Sequence, residues 1–302
     1  MKQQANGKSG PVSRQIPHIP ANPELDGMAA VIPNLVYRHI AGQDLNLQLL
    51  LPWSNLPDRT EKPLRPLVVF IQGSAWTTPN VYYELPQLSE LARSGLIVAT
   101  ITHRSCLENN PFPAFLQDAK TAVRYLRANA DAYGIDQARV AVWGTSSGGN
   151  AALLMGLTGD DPSFRTDDYP EQSDAVDAVV SCFGPTDLSA LYQHAVKAES
   201  PETVMAIFHG LAGPDGDPAA IMEAMSPVRQ IRPDRTYPPF LIAHGDADQS
   251  VPYDQGLRLY QAFLESAVDA QMICVEGGPH EGSFWSQALL DQIYAWLWKK
   301  MS

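Results

Sequence analysis

Residues 140–154 read Val140-Ala141-Val142-Trp143-Gly144-Thr145-Ser146-Ser147-Gly148-Gly149-Asn150-Ala151-Ala152-Leu153-Leu154. An apolar run from Val140 to Trp143 meets Gly144-Thr145-Ser146-Ser147-Gly148, and small residues then open a helical stretch. This is G-x-S-x-G in the context that gives it meaning: strand, sharp turn, helix. The turn forces its middle residue into a strained backbone conformation, and small neighbours let the chain pass. The expected result is one hydroxyl, that of Ser146, lifted to the top of a sheet.

The rest of the chain reads as the scaffold for that turn. Asn34 to Arg38 and Leu45 to Leu51 form a strand pair, expected to be antiparallel. Pro66 to Gln72, Leu96 to Thr102, Asp177 to Phe183, Phe240 to Ala243 and Met272 to Val275 are further apolar strands. Helical spacing marks Phe115 to Ala130, Gly148 to Leu157 and Leu289 to Trp298. Continuous apolar strands separated by helices predict a mostly parallel central sheet covered on both faces. Residues 188–228 differ: they hold three helical pieces and no strand. They read as a helical cap inserted above the strand ends, with Tyr192, Met205 and Phe208 as candidate pocket residues.

Composition narrows the class. With 302 residues, 45% hydrophobic and 18% charged, the chain is long enough for one large α/β domain with a full core. That domain is expected over residues 28–302. The net charge of −12 argues against nucleic acid and anionic membrane as partners. No stretch approaches the roughly 18 apolar residues of a membrane span. The first 27 residues are polar and Pro-rich without an apolar h-region, so a tail is expected rather than a secretory signal. Three cysteines, Cys106, Cys182 and Cys274, show no metal spacing. Cys182 and Cys274 sit in strand-like runs and are expected to be buried. Free thiols fit a reducing, cytoplasmic setting.

A serine hydroxyl needs a base to take its proton, and the base needs a third group to hold its tautomer. After this kind of turn the chain order is Ser, then Asp or Glu, then His. Of seven histidines, only His280 lies far enough beyond the strand at Phe240 to occupy a loop of its own. That loop, Val275-Glu276-Gly277-Gly278-Pro279-His280-Glu281-Gly282, is glycine-rich and able to bend back over the sheet. His244 reads as structural, bonding within its own loop. The acid lies in Ala243-His244-Gly245-Asp246-Ala247-Asp248-Gln249-Ser250-Val251-Pro252. Asp246 falls in the tight turn, where Asp commonly bonds backbone amides. Asp248 lies further out, beside the expected His loop, and is the leading candidate. Asp254 is a remote third.

Acyl transfer also needs donors for a developing oxyanion. One is expected to be the Ser147 N–H, at the start of the helix. The loop after Val68-Val69-Phe70-Ile71 reads Gln72-Gly73-Ser74-Ala75-Trp76 and can supply the Ser74 N–H, with the Ala75 N–H as a second. Trp76 is a candidate wall of the acyl pocket.

These pieces resemble α/β-hydrolase fold serine esterases, in the branch related to hormone-sensitive lipase and carbohydrate esterases. The resemblance rests on Q-G-S-A-W (72–76), G-T-S-S-G-G-N-A-A (144–152), H-G-D-A-D-Q-S-V-P (244–252) and G-P-H-E-G-S-F-W (278–285), and covers residue 30 to the end. It implies a Ser146–His280–Asp248 triad, because the family's acid falls at the second Asp of its motif. It also implies structural roles for Asp118 and Tyr125, a small-molecule ester substrate, and no metal or organic cofactor. Acetyl or feruloyl esters of carbohydrates are the substrates it points to. The sequence departs from the family in carrying Gln72 where the H-G-G loop has His. An arylformamidase or other amide or peptide hydrolase on the same fold stays open as an alternative. A non-catalytic ligand-binding receptor on the same fold is the remaining one.

Overall fold

The computed structural model describes residues 17–197 and 201–302. The chain opens with β1 (Ala29–Ile40) and β2 (Gln43–Pro52), which pair antiparallel. There follow β3 (Arg65–Ile71), α1 (Leu85–Ser94), β4 (Ile97–Ile101), α2 (Ala114–Ala128) and the short α3 (Ala130–Tyr133). Next come β5 (Ile135–Thr145), α4 (Ser146–Leu157) and β6 (Ala178–Cys182). Among the described residues four helices separate β6 from β7: α5 (Leu188–Ala195), α6 (Pro201–Ala212), α7 (Pro218–Ala224) and α8 (Pro227–Gln230). The chain closes with β7 (Phe240–Gly245), α9 (Asp254–Glu265), β8 (Ala270–Val275) and α10 (Gln287–Lys300).

The sheet runs in the order β1-β2-β4-β3-β5-β6-β7-β8. It is parallel from β4 onward, and antiparallel only at β1–β2 and β2–β4. This is the α/β-hydrolase fold. Its central strands are apolar on both faces because helices cover both. In β3, Leu67, Val69 and Ile71 face one layer while Val68 and Phe70 face the other. Val140 and Val142 of β5 share the first layer, with α2, α4 and α9. Ala141 and Trp143 share the second, with α1 and α10. Burying one such Leu or Val contributes about 1.5–3 kcal/mol.

The strand and helix expectations hold with end shifts of a few residues. The helix after the serine turn begins at Ser146, two residues earlier than its spacing suggested. Four helices, α1, α3, α8 and α9, were not anticipated. Part of the expected tail, residues 1–16, lies outside the described residues. Cys182 is buried, but Cys274 is exposed, which corrects the expectation for it. It lies on β8, the last strand of the sheet, which pairs with β7 alone. Among the described residues no helix is long and apolar enough to cross a membrane.

Buried charge braces the first layer. Asp118 on α2 accepts from Arg38 Nη1 at 2.6 Å and from Arg104 Nε at 2.9 Å. It thereby ties β1 and the loop after β4 to one helix. Asp174 receives Lys120 Nζ at 2.5 Å and Arg124 Nη1 at 3.0 Å, with all three side chains inaccessible. Burial pushes the Lys120 ammonium below its ordinary pKa, opposed by the Asp174 charge. Tyr125 packs edge-on against Tyr169, their ring centres 5.7 Å apart.

Candidate active site

The serine sits where β5 turns into α4. Ser146 has φ +51°, a left-handed conformation that costs a non-glycine residue about 1–3 kcal/mol and persists only where its surroundings enforce it. Gly144 and Gly148 make the turn possible. A Cβ on Gly144 would run into the Gly148 carbonyl, and one on Gly148 into the Ile71 carbonyl of β3.

The histidine and the acid arrive from the ends of the last two strands. His280 Nε2 lies 2.9 Å from Ser146 Oγ, and His280 Nδ1 lies 2.7 Å from Asp248 Oδ2. An ionised carboxylate only accepts, so Nδ1 carries the proton and the Nε2 lone pair faces the serine hydroxyl. The other carboxylate oxygen, Asp248 Oδ1, accepts from the Ser250 and Val251 amides, each at 2.9 Å. Burial works to raise the Asp248 carboxyl. The neighbouring His244 and His280 imidazoles, with the Val251 amide, override it and hold the group well below the usual carboxylate range.

The competing residues separate cleanly. Asp246 is exposed and accepts from Gly277 N–H at 2.6 Å, which pins the start of the histidine loop. Asp254 pairs with Arg258 on the surface of α9. His244 is fully buried, donates from Nε2 to Val251 O at 2.8 Å, and stands 3.5 Å from Asp248. Phe183, not anticipated from sequence, packs against the His280 ring with centres 4.7 Å apart.

The Q-G-S-A-W loop lies against the serine turn through hydroxyl groups on either side of Ser146. Gly73 N–H donates to Thr145 Oγ1, and Ser74 N–H donates to Ser147 Oγ, both at 2.9 Å. The Ser74 amide is thus already engaged by a side chain, which the sequence did not suggest. The Ala75 and Ser147 amides have no such acceptor among the described residues. Ala75 and Trp76 both adopt positive φ, +52° and +57°. Gln72 is buried, and its Oε1 has no hydrogen-bond partner among the described residues.

A cavity of about 390 Å³ opens onto Ser146 and His280, walled largely by apolar side chains. Of the candidate pocket residues, Trp76 and Phe208 line it, beside Leu191, Val204, Ile207 and Val251. Tyr192 and Met205 do not. Tyr192 packs behind Phe208, with ring centres 5.0 Å apart, and Met205 is 42% exposed on the outer side of α6. Glu281 also lines the cavity and accepts from Trp285 Nε1 at 2.8 Å. Burial pushes its carboxyl up.

A serine on a strained turn after β5, with a histidine beyond β8 in reach of its hydroxyl, stands on an α/β-hydrolase fold. The chain belongs to the BD-FAE family, whose profile matches residues 55–263. It is 33% identical over 232 residues to Esterase LipC of Mycobacterium tuberculosis, covering 76% of this chain and 54% of that protein. It is 31% identical to the probable carboxylic ester hydrolase LipM of the same organism, covering 66% and 45%. The chain spans about half the length of these curated relatives. Among solved structures it resembles a truncated carbohydrate esterase from gut microbiota, with a TM-score of 0.74, 28% identity, and 91% and 98% of the two chains covered. It shares its fold with a butyrate-bound esterase, Est2, from Thermogutta terrifontis, with a TM-score of 0.72, 23% identity, and 92% and 95% covered.

Proposed function

We propose that this protein is a serine carboxylesterase working through an acyl-enzyme, with Ser146 as nucleophile, His280 as base and Asp248 as its orienting acid. The observation that carries the reading is the 2.9 Å approach of His280 Nε2 to Ser146 Oγ, with Asp248 2.7 Å behind the imidazole. His280 takes the hydroxyl proton as Ser146 Oγ attacks the ester carbonyl. The Ala75 and Ser147 amides receive the developing oxyanion, and the Ser74 amide borders the same space. His280 then gives its proton to the leaving alcohol. Water, deprotonated by His280, releases the acid and restores Ser146.

The apolar lining and the roughly 390 Å³ volume support small or medium acyl groups. The likeness to a gut carbohydrate esterase supports carbohydrate esters as the natural class, and we assign acetyl or feruloyl as the acyl group. In this reading residues 28–302 act as one catalytic domain, and α5 to α8 act as a cap that shapes the acyl side. The unpaired cysteines fit a cytoplasmic location. A rate profile over 4-nitrophenyl esters of increasing chain length, beside acetylated xylo-oligosaccharide and methyl ferulate, tests the substrate class. Release of acetate or ferulate from the sugar-side substrates is expected. Hydrolysis of the nitrophenyl esters alone would contradict the carbohydrate assignment.

A further inference from the structure

Asn150 lies four residues after Ser146, one turn along α4, and is completely buried. Its amide uses both donors and one acceptor site. Oδ1 accepts from the Trp76 indole Nε1–H at 3.2 Å, while Nδ2 donates to Pro185 O at 3.0 Å and to Met225 O at 2.9 Å. The three partners come from three segments: the loop after β3, the loop after β6, and the end of α7. A buried amide that satisfies its own groups would be unremarked as packing. The identity of the first partner makes it more than that.

Trp76 adjoins Ala75, whose amide faces the reaction in the proposed mechanism. Both residues hold left-handed backbones, so something outside the loop must keep them there. The Trp76 ring packs against Phe115 and Phe208, at centre distances of 6.5 and 6.4 Å, contacts that are apolar and carry no direction of their own. The bond to Asn150 gives the ring a defined orientation within that packing, because it grips the one polar atom of the indole. The same amide holds Met225, so the oxyanion loop and the end of α7 are referred to a single side chain on the nucleophile's own helix.

We infer that Asn150 is a positioning residue for the oxyanion loop: through Trp76 it sets the Ala75 amide and the cavity wall relative to Ser146. This rests on the esterase reading above. Asn150 touches neither substrate nor triad, so its loss changes turnover without shifting the ionisation that governs activity.

The test uses Asn150→Ala, Trp76→Phe and the double variant in the full chain, with 4-nitrophenyl butyrate as substrate and a fluorophosphonate as the Ser146 probe. Trp76→Phe keeps an aromatic ring and removes the N–H. Asn150→Ala is expected to lower kcat by about 10-fold or more, short of the roughly 10²–10³ lost when an oxyanion donor is removed outright. KM should change far less, and the pH profile should keep its shape. The double variant should be no slower than Asn150→Ala, because both changes cut one connection. If Asn150→Ala is insoluble, Asn150→Asp takes its place: it keeps the acceptor for Trp76 and sets a second oxygen against two carbonyls, so Trp76→Phe should then add to its loss. A folded Asn150→Ala with wild-type kcat, or losses that simply multiply in its double variant, would overturn the inference. With Asn150→Asp, no added loss from Trp76→Phe would do the same. A wild-type protein that neither turns over nor takes the probe would overturn the esterase reading and this inference with it. An active, labelled wild type beside an unaffected variant overturns this inference alone.

Discussion

Ser74 N–H donates to Ser147 Oγ at 2.9 Å, so the residue after Ser146 holds the Q-G-S-A-W loop with its side chain while its own amide has no acceptor among the described residues. The bond joins the start of α4 to a loop that carries two left-handed non-glycine residues, Ala75 and Trp76. It acts as a brace, and its worth is that of a neutral hydrogen bond, about 0.5–1.5 kcal/mol.

Ser147→Ala removes the brace and leaves the triad alone. The expected outcome is a fall in kcat of less than about 10-fold with the fluorophosphonate labelling of Ser146 retained. Steady-state kinetics on 4-nitrophenyl acetate measure it. A rise in kcat would mean that the hydroxyl competes with substrate for the Ser74 amide, and the brace account would be wrong.

Phe208 lines the cavity edge-on to Trp76, with Tyr192 packed behind it. Phe208→Ala lengthens the apolar space by a few methylenes, each worth about 0.8 kcal/mol when buried, or roughly fourfold in kcat/KM. The variant should therefore gain on hexanoate and octanoate esters relative to acetate. An unchanged chain-length profile would show that the acyl group binds elsewhere.

Glu84 gives a pH dependence to stability. It is 7% exposed, and its Oε1 has no hydrogen-bond partner among the described residues. Burial first, and the nearby Glu281 charge second, push its carboxyl up to about 7 from an ordinary value of 4.5. The folded protein holds a proton that the unfolded chain has released across that window. Stability is therefore fullest below the lower value and falls as pH rises through the upper one. Thermal unfolding at about pH 5 and about pH 8 should show a lower Tm at the higher pH. Glu84→Gln should raise Tm at the higher pH by a few degrees and flatten the trend. An identical slope in the variant would assign the effect to another group.

Asp174 faces two buried cations, Lys120 and Arg124. Asp174→Ala leaves both unpaired, at a cost of about 3–5 kcal/mol. That amounts to a drop in Tm of order 10 °C for a chain of this size. A shift of under about 2 °C would mean that water or another group takes over the pairing.

The site was legible where chemistry and local pattern coincide. Gly144 to Gly148 needs small residues for a backbone reason, and His280 follows from chain order and a glycine-rich loop. The acid was narrowed by the same logic to two aspartates that stand in different surroundings. Asp246 pins a turn, and Asp248 meets the imidazole. The cavity wall was less legible because it depends on helical phase. In α6, Val204, Ile207, Phe208 and Leu211 recur at helical spacing on the inner side, and Met205 falls outside that stripe. The stripe is present in the sequence, so phase would have excluded Met205. Nothing comparable marks Asn150, whose three partners are 74, 35 and 75 residues away in the chain. Such contacts exist only after the sheet has assembled. Cys274 misled for a related reason: an apolar run does not say whether its strand lies inside the sheet or at its edge.

The most direct test of the central claim is the turnover of 4-nitrophenyl acetate by Ser146→Ala beside the wild type, with circular dichroism to verify the fold. The account expects a loss of kcat of about 10⁶-fold, down to residual catalysis by the oxyanion site, and no labelling by a fluorophosphonate. A folded variant that retains substantial turnover would contradict it.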